Sequence, residues 1–316
     1  MSRLIFVPQL PSKMRYQEWW FTEIPKNLND HFEDIVILGK NFKFKNLRQD
    51  SASFSLVNEA IDFELYQIRE YMNMKLYSDD VMFCADLSFP GIFMSCLFHK
   101  KPCKLYSFCH ATSANRYDYY SEHFPKKFTH ESSYAKFCHK VFVATEYHRN
   151  KLEREGYSIY PFNIEVTSMP LPPFKGKKYK KDIDFISVAR PTKQKLDIDL
   201  ENALEKKLNC KIYRGNYKSW SEYYKTIARS KIMIITSSEE TFGYQVIDAI
   251  LNNCIPIAPN CFSYPELIDS KYLYKYKDLD DMIAKIESVE KKERTNIRCE
   301  EQMKNFYINI LKHMEV

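Results

Sequence analysis

The stretch SSEETFGYQVIDAILNNCIPIAPN, Ser237 to Asn260, decides how this chain folds. Just before it the run IMII, Ile232 to Ile235, is apolar without a break. That suits a parallel strand covered on both faces by helices. Ser237 and Ser238 close the strand, and Gly243 supplies a tight turn. From Tyr244 the spacing becomes helical, with Val246, Ile247 and Ile250 on one side, and IPIAP then starts another strand. The unit therefore reads as strand, helix and strand with a right-handed crossover. In such a unit the end of the strand and the start of the helix face a ligand crevice. A helix start there is a natural phosphate site. Glu239 and Glu240 beside it would repel phosphate, so they suit the hydroxyls of a sugar. Asp248 is a third acid, inside the helix.

Working outward, the same alternation recurs. In the first half LIFVP, DIVILG, VMFCAD, KLYSFCH and VFVAT read as strands. The segments YQEWWFTEIPKNL, SLVNEAIDFELYQIREYMN, IFMSCLF, SSYAKFC and EYHRNKLERE read as helices between and after them. MPLPPFKGKKYKKD, Met169 to Asp182, is rich in proline and lysine and reads as a linker. A second alternation follows with DFISVA, a helix from about Asp199, CKIYRG, SWSEYYKTIARS and the opening unit. A helical tail, TNIRCEEQMKNFYINILKHM, ends the sequence. The expected fold class is α/β, with two doubly wound Rossmann-like domains and a ligand cleft between them. The expected boundaries are 1–168, a linker over 169–182, 183–296, and a C-terminal helix over 297–316 that packs back on the first domain.

Composition allows this and narrows the rest. With 316 residues, 45% of them hydrophobic, the chain can bury two cores and is not a disordered polymer. The net charge of +6 is mildly basic, which suits either a nucleic-acid partner or a solvated lysine-rich surface. Nine cysteines occur without a C-x-x-C pair, which favours reduced thiols and a cytoplasmic setting, the host cytoplasm if the protein is viral. MSRLIFVPQL is too short in apolar residues for a signal peptide, and no run approaches a membrane span, so no membrane partner is expected. Walker, G-x-G-x-x-G and H-E-x-x-H motifs are missing, and DLDD, Asp278 to Asp281, reads as a helix start rather than a metal site.

Two sets of residues, taken together, resemble a known family. Glu240-Thr241-Phe242-Gly243 is followed eight positions after its acid by Asp248-Ala249, then by Cys254-Ile-Pro256-Ile and Pro265-Glu266-Leu267. Upstream, ISVARPTKQK ends a strand with Arg190 and places Lys195 five residues on. The pattern resembles the retaining glycosyltransferases of the GT-B fold, which use nucleotide sugars and carry two acids at that spacing. The sequence departs from the family in having Asp248 for a second glutamate and Ala189 for a glycine. The resemblance implies Arg190, Lys195 and Glu240 as catalytic residues, with Lys193 an alternate cation and Glu239 a competitor for the first acid. It implies Asp248, Gly243, Phe242, Thr241 and Tyr244 at the donor. The chemistry fits, because a leaving diphosphate gains charge that a fixed guanidinium and ammonium stabilise. No cofactor or metal is implied beyond a UDP- or GDP-linked sugar as co-substrate. APNCFSYPELIDSKYLY further resembles the queuosine-tRNA mannosyltransferase group, which implies a nucleic-acid acceptor, DNA or RNA.

Acceptor-side candidates lie in the first half. His110 follows KLYSFC at a strand end; family members often have a histidine there at the donor sugar or reaction centre, although a lone histidine is also a common structural residue. Asp86, after VMFCA, is a candidate for binding an acceptor hydroxyl or its proton, or else a loop hydrogen bond. The loop PQLPSKMRYQEWW offers Lys13, Arg15, Tyr16, Trp19 and Trp20 for phosphate contacts and base stacking, the alternative being that the tryptophans pack a helix. NRYDYY adds Arg116 and Tyr117, followed by Lys126 and Lys127; the linker adds Lys175, Lys177, Lys178, Lys180 and Lys181. The expected acceptor is a hydroxyl on a modified base, foremost in hydroxymethylated phage DNA, a base that would have to be flipped from a duplex. The alternatives are a cell-surface glycan or small metabolite, and an idle binding protein of the same fold. The oligomeric state is not legible in the sequence.

Overall fold

Each apolar run becomes a strand because it is short, bounded by turn residues and flanked by segments of helical period. The computed structural model describes residues 2–44, 47, 57–87, 90–98, 101–102, 104–113, 115, 127–158, 163–174, 177–289 and 295–314. The chain divides into unit 1, Met1–Pro170 with Gln302–Val316, and unit 2, Leu171–Glu301.

Unit 1 holds β1 (Arg3–Val7), β2 (Asp34–Ile37), β3 (Val81–Cys84), β4 (Lys104–Phe108), β5 (Lys140–Val143) and β6 (Ile164–Val166). All pair in parallel, in the order β2-β1-β3-β4-β5-β6. Between them run α1 (Tyr16–Leu28), α2 (Val57–Asn73), α3 (Pro90–Phe98), α4 (Lys127–Phe137) and α5 (Glu146–Arg154). Strand β6 is absent from the sequence reading: three residues at a sheet edge leave no period to detect. Side chains alternate across the sheet. Ile5, Val7, Met82, Cys84, Leu105, Val141 and Val143 build one core. Phe6, Phe83 and Tyr106 stand in register beside Phe142 on the other face.

That aromatic face is covered in part by the end of the chain. The expected tail helix forms as two, α11 (Glu300–Lys304) and α12 (Phe306–Met314). Phe306 is fully buried and its ring lies 5.8 Å from Trp20 and 6.1 Å from Phe108. The Met314 carbonyl accepts from Lys104 Nζ and Tyr106 Oη, each at 3.3 Å.

Unit 2 holds β7 (Ile183–Ser187), β8 (Ile212–Arg214), β9 (Ser230–Ile234), β10 (Ile255–Pro259) and β11 (Leu273–Tyr274) in the parallel order β11-β10-β9-β7-β8. Its helices are α6 (Ile198–Leu208), α7 (Trp220–Arg229), α8 (Tyr244–Leu251), α9 (Tyr264–Leu267) and α10 (Leu279–Ser288). Asp278 caps α10 by accepting from the Asp281 N–H at 3.0 Å, so DLDD is a helix start.

Part of the expected linker is not free chain. Phe174 stacks on Trp220 at 5.4 Å, and Lys181 Nζ donates to the carbonyls of Ser230 at 2.7 Å and Asn252 at 3.2 Å. Lys181 is thus tied to two backbone carbonyls of unit 2, and burial lowers its pKa. Lys177, Lys178 and Lys180 are exposed; Lys175 lies outside the described residues.

Candidate active site

In each sheet the strand order reverses direction at one place, between β1 and β3 in unit 1 and between β7 and β9 in unit 2. Loops leaving the strand ends diverge there and leave a crevice. In unit 2 those loops carry both family signatures. The loop after β7 bears Arg190 and Lys195, and the loop after β9 bears Glu240.

Hydrogen bonds lock the two loops together. Ser238 N–H donates to the Gln194 carbonyl at 2.9 Å, Ser238 Oγ to the Lys193 carbonyl at 3.1 Å, and Ser237 Oγ to the Lys195 carbonyl at 3.3 Å. Lys195 Nζ then meets Glu240 Oε2 at 2.7 Å and the Glu239 carbonyl at 3.3 Å. The other Glu240 oxygen accepts the Thr241 N–H at 3.2 Å. So Glu240 presents its carboxylate to Lys195, whereas Glu239 offers Lys195 its backbone carbonyl. Arg190 lies half-buried on the same loop, and Lys193 is exposed.

The turn into α8 depends on Gly243. Its φ of 102° is left-handed, and an added Cβ would stand 2.9 Å from the Tyr264 ring. Phe242 is buried and its carbonyl accepts Ser263 Oγ at 2.6 Å, while Tyr244 packs edge-on to Phe242 at 5.1 Å. Gln245 Nε2, which sequence reasoning missed, bridges Ser237 Oγ and Tyr264 Oη at 3.2 Å each. Its only signal was the position one residue into the helix after the glycine turn.

Asp248, expected at the donor, is 5% exposed inside unit 2. Its two oxygens accept the hydroxyls of Tyr223 and Tyr224, each at 2.9 Å. Burial pushes its pKa up to about 7 against the pull of those two hydrogen bonds. The shorter side chain is held against α7, and no sequence signal paired it with two tyrosines 24 and 25 residues upstream. Glu201 was missed altogether: fully buried, it accepts from Ser187 Oγ at 2.8 Å and Arg214 Nε at 2.7 Å and ties the ends of β7 and β8.

In unit 1, Asp86 and His110 meet through a hydrogen bond. Asp86 is 6% exposed and accepts from Gln9 Nε2 at 2.5 Å, Leu87 N–H at 2.8 Å and His110 N–H at 3.4 Å. Those bonds join the ends of β1, β3 and β4, the loop hydrogen bonding that was the alternative reading of Asp86. His110 Nε2 lies 3.0 Å from the Ala85 carbonyl, which can only accept, so that nitrogen carries the proton and Nδ1 is an acceptor. The ring sits among Tyr16, Trp20 and Phe108 at 4.3 to 4.7 Å, and burial lowers its pKa to about 3. His110 is therefore neutral at physiological pH.

The proposed stacking residues divide. Trp19 is 5% exposed and Trp20 2%, so both pack α1 into unit 1 and neither offers a face to a base. Tyr16 is half-buried against His110; Lys13 is exposed and Arg15 stands at the start of α1. Arg116 and Tyr117 lie outside the described residues. Among the described residues no helix is long and apolar enough to cross a membrane, and no group of three metal-ligating side chains occurs.

Two parallel doubly wound units with the signature loops at a switch point define the GT-B fold. Residues 198–306 match the family described as Glycosyl transferases group 1. The chain thus has the GT-B fold, and the matched stretch of unit 2 is similar to group 1 glycosyltransferases. In sequence it is 30% identical to the tRNA-queuosine alpha-mannosyltransferase of Drosophila melanogaster over 97 residues, 30% of this chain and 26% of that protein. The chain thus matches about a quarter of that relative's length. In structure it is similar to the lipopolysaccharide outer core galactosyltransferase WaaB (TM-score 0.64, 13% identity, 99% of each chain). It is also similar to Anabaena Alr3699/HepE in complex with UDP and glucose (TM-score 0.61, 12% identity, 99% of this chain and 95% of that one).

Proposed function

We propose that the protein transfers a sugar, with retention, from a nucleotide sugar to a hydroxyl of a modified base in nucleic acid. The observation that carries the chemistry is the loop pair at the β7/β9 switch point. There Glu240 holds the Lys195 ammonium at 2.7 Å, and Arg190 precedes it on the same loop. When the bond from sugar to diphosphate breaks, negative charge gathers on the leaving phosphates. Cations already fixed by hydrogen bonds stabilise that charge without reorganising. The neutral His110 is suited to orient a sugar or acceptor hydroxyl rather than to act as an acid. Glu240, Gly243, Phe242, Thr241 and Tyr244 remain the donor-side residues in this reading, and Asp248 does not. UDP is the first nucleotide to test, because a structural relative binds it; GDP is the second.

The similarity to a tRNA-queuosine mannosyltransferase supports the nucleic-acid acceptor and favours RNA over the hydroxymethylated phage DNA expected from the sequence. The test incubates labelled UDP- and GDP-sugars with tRNA, hydroxymethylated DNA, unmodified DNA and a glycan panel. Label in tRNA or modified DNA that survives protein removal is the expected result. Label confined to glycan would establish the alternative acceptor and leave the donor chemistry standing.

A further inference from the structure

Beyond the signature loops, unit 2 carries a cavity of about 610 Å³ at the ends of β10 and β11, lined in part by Asn260, Lys271, Lys275, Tyr276, Asp281 and Lys285. Three lysines and one aspartate thus line it, with Asp278 beside Lys275 and the Lys271 ammonium over the Tyr272 ring at 4.9 Å. The lining carboxylate is already engaged: Asp281 Oδ2 accepts the Lys275 N–H at 2.6 Å. Lys285 Nζ donates to the Ser270 carbonyl at 3.4 Å and keeps two further protons to offer. The Lys275 side chain is 80% exposed and only 3.7 Å from Asp278, a contact weak enough to be exchanged for a phosphate.

An aromatic step adjoins the lysines. Tyr276 is 37% exposed, packs edge-on to Phe262 at 5.7 Å, and carries Lys277 Nζ over its ring at 5.5 Å. Phe262 and Lys277 both have left-handed backbone, with φ of 57° and 61°, which side chains rarely adopt. The loop that turns at Phe262 continues directly to Ser263, whose hydroxyl holds the Phe242 carbonyl beside the donor turn. The ends of β9 and β11 are two strand spacings apart, roughly 10 Å. Basic and aromatic side chains alternating along one edge of a site fit a nucleic-acid strand, with phosphates on the lysines and a base on the ring.

We propose that this β10–β11 edge, rather than the Lys13–Trp20 loop of unit 1, binds the nucleic-acid backbone of the acceptor; this rests on the acceptor reading above. The test measures binding of fluorescein-labelled tRNA by anisotropy across a salt series, with heparin as a second probe and UDP binding by calorimetry as a control. Wild type should bind tRNA with steep salt dependence. The triple variant Lys271→Gln, Lys275→Gln, Lys285→Gln should bind at least about tenfold more weakly, with a salt slope shallower by about 2 to 3 and unchanged UDP binding. Tyr276→Ala should lose about tenfold with the slope intact. Should the triple variant lose UDP binding as well, Lys275→Gln alone is read in its place, with a slope change of about 1 expected. Wild-type binding that none of these variants alters overturns the edge and leaves the nucleic-acid acceptor standing. Heparin bound without tRNA, or no salt-sensitive binding at all, overturns both.

Discussion

Lys195 and Glu240 are each partly buried, 20% and 14% exposed at the side chain, so their ion pair is held in place rather than merely drifting in solvent. A charge fixed before the reaction is worth more to the transition state than one that must be gathered, since no reorganisation is spent at the moment of bond breaking. Replacing Glu240 by glutamine removes the anchor and leaves the ammonium free to wander; replacing Arg190 by alanine removes a cation outright. Each change should lower turnover at least about tenfold, ~1.4 kcal/mol in the barrier, in assays of both donor hydrolysis and transfer. Wild-type rates from both variants would remove these residues from the mechanism.

At the scale of elements, Asp248 clamps α8 to α7 through Tyr223 and Tyr224, and its pKa makes the clamp pH-dependent. The folded carboxyl titrates near 7, above its ordinary value of 3.8, because burial disfavours the charge. Between those values the unfolded chain releases a proton that the folded one retains. The contribution to stability is therefore complete below about pH 4 and is lost as pH rises through 7, on the order of 4 kcal/mol at most. Asp248→Asn cannot ionise, so it should abolish this part of the fall in Tm between pH 5 and 8 and be no less stable than wild type at pH 8. Thermal unfolding across that range checks it; an unchanged fall in the variant would show that Asp248 is not its source.

At the scale of the molecule, unit 1 is assembled from two distant pieces of chain, Met1–Pro170 and Gln302–Val316. Phe306 is the joint, fully buried against Trp20 and Phe108. Truncating a buried phenylalanine costs about 3–5 kcal/mol. Phe306→Ala should therefore destabilise unit 1 by that order while leaving unit 2 folded at low temperature. Limited proteolysis with mass mapping reads it: early cuts should fall within 1–170. First cuts within unit 2 would contradict the assignment.

The sequence by itself determined the parallel α/β architecture, because apolar runs of strand length alternating with helical periods are local facts. YQEWWFTEIPKNL and IPIAP mark α1 and β10 to the residue. It also marked Arg190, Lys195, Glu240 and Gly243, which the fold brings to the loops after β7 and β9. What it did not determine were short edge strands such as β6 and β11, whose two or three residues have no period. Only the tertiary structure decided which of the candidate side chains are buried or tied to distant partners. Asp248, Asp86 and Lys181 have the residue types of site groups, yet partners far away in sequence hold each one, and Trp19 is buried. Burial depends on what the rest of the chain brings to a position, and spacing along the chain does not carry that information.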